Sequence, residues 1–79
     1  MNFLGPQEIR RILGVTDALR IHRESVSVPL ATRGVGSVRV TESQRVEIVA
    51  PADADLEAWI EALPRALAGL DLSGVRRSE

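Results

Sequence analysis

Three short segments of this chain alternate apolar and polar residues, and a fourth repeats apolar residues at helical spacing. Val26, Val28 and Leu30 alternate, as do Val38 and Val40, and Val46 and Ile48. Leu56, Trp59, Ile60, Leu63, Leu67 and Leu70 then recur three and four residues apart. A period of about two makes a strand with one apolar face, and a period near 3.6 makes a helix with one apolar stripe. Neither face is stable in water alone. The strands must therefore form a sheet, and the helix must cover one side of it.

The turns between the strands set a trial register. A three-residue connection at Arg33-Gly34-Val35 places Leu30 opposite Val38 and Val28 opposite Val40. A second at Glu42-Ser43-Gln44 places Val40 opposite Val46 and Val38 opposite Ile48. Both choices put every apolar pair on one face, and three-residue hairpin loops are common. On the other face Arg39 falls opposite Glu47, a favourable cross-strand pair. Pro29 lacks a ladder donor, which assigns the first strand to an edge and leaves the second in the centre.

Gly5-Pro6 opens an N-terminal helix, because proline fits the first helical position. Ile9, Ile12 and Leu13 share its apolar face, Arg10 and Arg11 point away, and Gly14 is a natural stop. Residues 16–25 read as a second short helix capped by Thr16 or Asp17, or as a strand running into Val26. Pro51 ends the third strand, and Asp53 or Asp55 caps the last helix. Pro64 interrupts that helix while Leu67 and Leu70 keep its phase, which predicts a kink or a fresh start. The expected architecture is α+β: one or two N-terminal helices, a three-stranded antiparallel meander and a kinked C-terminal amphipathic helix on one sheet face. Residues 1–72 form the domain, and 73–79 read as a flexible C-terminal tail.

Composition excludes much chemistry. The 79 residues suit one small domain, and 44% apolar with 27% charged residues is ordinary for a folded one. There is no Cys and a single His, His22. A structural zinc site would then need carboxylates for its remaining ligands, and a nucleophilic triad would have one candidate base for six serines. Gly34-Val35-Gly36 lacks the Gly-Lys-Ser/Thr ending and the following helix of a phosphate loop. Phe3 and Trp59 are the only aromatics, too few for a base-stacking platform. Glu57 and Glu61 lie on the side of the last helix away from its leucines, where they face water rather than a catalytic cleft. No enzyme activity, cofactor, metal or small-molecule substrate is expected. Without a membrane-length apolar run or a basic leader, a cytoplasmic protein is expected.

Charge is unevenly distributed. Residues 1–45 carry seven Arg and four acids, while residues 46–79 carry three Arg and seven acids, giving +3 and −4. Every basic residue is Arg, which binds phosphate and carboxylate in bidentate fashion.

Residues 4–16, Leu-Gly-Pro-Gln-Glu-Ile-Arg-Arg-Ile-Leu-Gly-Val-Thr, resemble the first half of a bacterial helix-turn-helix. Leu56-Glu57-Ala58-Trp59-Ile60 resembles the last helix of the small excisionase-type members. Arg10, Arg20 and Arg23 stand where that family carries a small residue and two apolar anchors, so the motif over residues 4–25 is degenerate. The resemblance implies a DNA-binding transcriptional regulator, with Arg10, Arg11, Arg20 and Arg23 on duplex phosphates or base edges. The order helix, three strands, helix is also similar to double-stranded-RNA-binding domains. There the basic cluster at the last helix is replaced by Asp53, Asp55 and Glu57, which repel phosphate.

Two functions follow as expectations. The first is a small non-enzymatic regulator, adaptor or inhibitor of phage or plasmid type, acting on a protein partner or on a second copy of itself as a homodimer. Its contacts would be Val49, on a third strand exposed for pairing, and the acidic helix face at Glu57 and Glu61. The alternative is the DNA-binding regulator.

Overall fold

A computed structural model describes residues 3–75. In chain order the elements are α1 (Pro6–Ala18), a 3₁₀ turn (Arg23–Ser25), β1 (Val26–Ser27), β2 (Ser37–Val40), β3 (Val46–Val49) and α2 (Leu56–Ala68). Two helices and one three-stranded sheet make the chain α+β. The sheet is mixed, however, and its order is β1-β3-β2.

The β2–β3 hairpin forms in the expected register, with Val40 opposite Val46, Arg39 opposite Glu47 and Val38 opposite Ile48. Its tip is a turn closed by the Gln44 N–H on the Thr41 carbonyl (3.0 Å), and Gln44 takes φ 62°. A turn followed by one left-handed residue is the usual three-residue hairpin loop.

The meander does not form. β1 pairs with β3, in parallel, through Val26–Val46 and Ser27–Glu47. The central strand is therefore β3, not β2. Residues 28–36 do not fold back as a hairpin; they cross the exit of β3. There Arg33 N–H donates to the Ala50 carbonyl (2.8 Å), and the Gly34 carbonyl accepts from Ala52 and Asp53 N–H (2.9 and 2.7 Å). Pro29 cannot donate to a ladder, and the regular pairing of β1 ends at Ser27. Beyond it the chain is flanked by the N-terminal segment: Leu4 N–H donates to the Leu30 carbonyl (2.7 Å), and Phe3 bridges Ala31.

One α-helix, not two, precedes the sheet. Gly14 does not stop α1, which continues to Ala18 because the apolar period continues through Ile12, Val15 and Leu19. Thr16 does not cap a second helix. It is fully buried inside α1, and its hydroxyl donates back to the Leu13 carbonyl (2.9 Å). The helix ends four residues later than expected. Arg20 takes φ 61° and donates to Asp17, and Ile21 N–H reaches back to Thr16 (3.0 Å). This is a Schellman ending with arginine at the left-handed position usually held by glycine. Ile21, 1% exposed, supplies its apolar contact.

Asp55 caps α2 by accepting from Glu57 N–H (3.1 Å). The helix runs through Pro64 as one element, so no fresh helix starts there. Proline removes the donor for the Ile60 carbonyl. Ile60 and Leu63 before it and Leu67 after it are all buried, and their packing holds the two halves in one helix. These side chains share a core with Ile12 and Ile21 and with Val46, Ile48 and Ala50 of the central strand's run. Both helices thus cover the same sheet face. Val75, 5% exposed, joins this core although it lies in the segment read as a tail; residues 76–79 of that segment lie outside the described residues.

Candidate protein-binding surface

The two helices lie side by side and run in the same direction. Arg11, midway along α1, meets Glu57 in the first turn of α2, and Leu19 and Ala68 line one hollow at the helices' C-terminal ends. Between them lies an open groove of roughly 360 Å³. Gly14, Val15, Ala18 and Leu19 form one wall; Ile60 and Pro64 form the other. Beyond Leu19 it continues into a hollow of roughly 420 Å³ bounded by Ala68, Leu70, Leu72 and Ser73. From Arg11 to Leu19 the helical rise gives a length of about 12 Å.

The groove exists because Gly14, Ala18 and Pro64, at exposed helical positions, carry little or no side chain to fill the space beside Val15, Leu19 and Ile60. A Cβ added at Gly14 would meet nothing within 4 Å. Glycine inside a helix costs up to about 1 kcal/mol relative to alanine. Here it leaves a gap in the α1 wall instead of a packing contact.

The start of the groove is charged. Both carboxylate oxygens of Glu57 accept from the Arg11 guanidinium at 2.6 Å. The hydrogen bond donated to Glu57 raises the Arg11 pKa, with added Coulombic help from Glu57, Glu61 and Glu8. One guanidinium thus sits in the field of three carboxylates. The pair is exposed, 43% for Arg11 and 67% for Glu57, so its own contribution to stability is small.

The residues expected to bind partners fall in separate places. Glu57 and Glu61 stand beside the groove, one turn apart on α2. Val49 does not. It is half-buried on the opposite face of the sheet, in a hollow with Pro29, Ala31, Arg33 and Glu47. Its strand is central, so β3 offers no free edge for pairing; the edge strands are β1 and β2.

Of the four arginines expected on DNA, two are paired with acids. Arg11 holds Glu57. Arg23 holds Asp17 (2.7 and 3.2 Å), tying the 3₁₀ turn to the last turn of α1. That hydrogen bond lowers the Asp17 pKa and raises that of Arg23. Arg20 occupies the left-handed helix end, and Arg10 is exposed on α1. Residues 4–25 contain no second α-helix to serve as a recognition helix, since Gly14-Val15-Thr16, the turn of the resembled motif, lies inside α1.

The sequence assigns Gly14, Ile60 and Pro64 structural parts only, and gives Val15, Ala18 and Leu19 none. Val15 and Leu19 carried a signal, since they extend the apolar period past Gly14. Pro64 carried none, because its exposure depends on how α2 lies against α1.

No described helix is long and apolar enough to cross a membrane. Comparison of the chain with protein-family models, with curated proteins and with solved structures finds no match.

Proposed function

We propose that this chain is a non-enzymatic protein-binding module, a small regulator, adaptor or inhibitor, and that the α1–α2 groove is where its partner docks. The observation that carries the reading is the groove itself: apolar along its walls, open, widened by a glycine in the α1 wall, and edged by Glu57 and Glu61. Shallow apolar channels between helices are common seats for the apolar face of a partner helix.

The test fills the groove without harming the fold. Gly14→Gln puts a good helix former in open space, so the variant stays folded. Wild type and variant are immobilised side by side and the proteins each retains are compared. A partner held by wild type is expected to bind the variant at least about tenfold more weakly by calorimetry, about 1.4 kcal/mol. Equal binding to both would overturn the assignment of the groove.

The duplex-DNA reading rests on Arg10, Arg11, Arg20 and Arg23, and no geometric observation favours it. Fluorescence anisotropy across a salt series checks it directly. Affinity falling log-linearly with salt, with a slope of several phosphates, would restore it.

A further inference from the structure

We infer that the partner segment is an amphipathic helix that is basic toward its C-terminus and lies antiparallel to both α1 and α2. This rests on the groove being the binding surface. Three observations lead to it.

The groove's length, about 12 Å, accommodates about two turns of helix, so its natural occupant presents apolar side chains at i, i+3 or i+4 and i+7. A second copy of this chain does not supply that stripe. Among the described residues the exposed large apolar side chains are Phe3, Leu30 and Val35, and none of them is on a helix.

The two ends of the groove differ in charge. At the start, Glu8, Glu57 and Glu61 act on one guanidinium, Arg11, which Glu57 already holds, so this end keeps an excess of negative charge. At the finish stand Arg20, just beyond α1, and Arg65, in the last turn of α2, against the single Asp71, while Arg23 and Asp17 hold each other, so this end keeps an excess of positive charge. An incoming helix is therefore favoured with its basic residues beside Glu57 and Glu61 and its acidic residues beside Arg20 and Arg65.

Helix dipoles select the same direction. α1 and α2 run together, so their like ends are neighbours. A third helix laid antiparallel brings its negative C-terminal end to their positive N-terminal ends. Helices also favour acids in their first turn and bases in their last, which gives an antiparallel helix the required charge order.

The experiment uses two stapled peptides of roughly 14 residues, each held helical and each with the same leucine–alanine stripe. One carries Glu in its first half and Lys in its second; the other reverses that order. Binding to the full chain is followed by amide chemical shifts, with a spin label at the peptide N-terminus. The Glu-first peptide is expected to shift Gly14, Val15 and Ala18, to broaden Ala68 and Leu70 through its label, and to bind about fivefold tighter than the reversed peptide. Glu57→Gln with Glu61→Gln should remove that preference. Equal affinity for the two peptides in wild type, or broadening at Glu57 by the Glu-first label, overturns the charge and direction assigned here while the groove reading stands. Failure of both peptides to shift the groove residues overturns the groove reading as well.

Discussion

Residues 26–30 and 46–50 have the same pattern, apolar at every second position, and opposite fates. Val46, Ile48 and Ala50 are all 0% exposed, in and just beyond the central strand. Val26 and Val28 are half-buried at one edge, and Leu30 is 56% exposed. Alternation specifies that one side of a strand is apolar. It does not specify how completely that side is covered. Coverage depends on position, and the strand flanked on both sides lies beneath both helices.

Core truncation sharpens this contrast most. Ile48→Ala removes buried methyl groups under α1 and α2 and should cost roughly 2–5 kcal/mol, enough to threaten folding of so small a domain. Ile48→Val, at about 1 kcal/mol, keeps the comparison measurable if the alanine variant does not fold. Val28→Ala should cost well under half as much as Ile48→Ala in urea unfolding. Equal losses at 28 and 48 would break the distinction between centre and edge.

The crossing loop comes next. Gly36 has φ 82°, and a Cβ there would stand 2.7 Å from the Trp59 indole nitrogen and 3.1 Å from the Val49 carbonyl. Gly36→Ala should cost about 1–3 kcal/mol and shift the Trp59 fluorescence. Gly34, at φ 53° with open space around it, should cost less when changed to Ala. If Gly34 proves the more sensitive, the loop is not held against α2 as described.

A smaller, stabilising effect is expected at the end of α1. Arg20→Gly relieves the left-handed strain at the Schellman position and should raise stability by about 1 kcal/mol, or about 4–8 °C in Tm. Destabilisation instead would mean that α1 ends differently.

The smallest effect is electrostatic. Arg23 donates to Asp17 and holds the Asp17 pKa below its ordinary 3.8. The pair's contribution is therefore complete above that value and is lost as the pH falls through the lowered one. Carboxyl chemical shifts should show the Asp17 midpoint rising toward its ordinary value in Arg23→Ala. An unchanged midpoint would show that Arg23 does not hold it.

The candidate site was partly legible. Glu57 and Glu61 could be read as an acidic helix face because helical spacing alone places them together. Their neighbour Arg11 lies 46 positions from Glu57, and no local pattern connects them. Gly14 was misread for a physical reason: glycine ends many helices, and only the burial of Ile12, Thr16 and Ile21 outweighs that tendency here.

By itself the sequence determined the two α-helices and the β2–β3 hairpin, the register of that hairpin with its Arg39–Glu47 pair, an aspartate cap on α2 and the acidic face of that helix. All follow from interactions between residues close along the chain. Which strand lies in the centre, whether β1 runs parallel or antiparallel, and how α1 and α2 lie side by side to leave a groove were decided by tertiary structure. Those choices depend on which apolar faces cover one another best across long separations. Alternation along a single segment is the same whichever neighbour covers it.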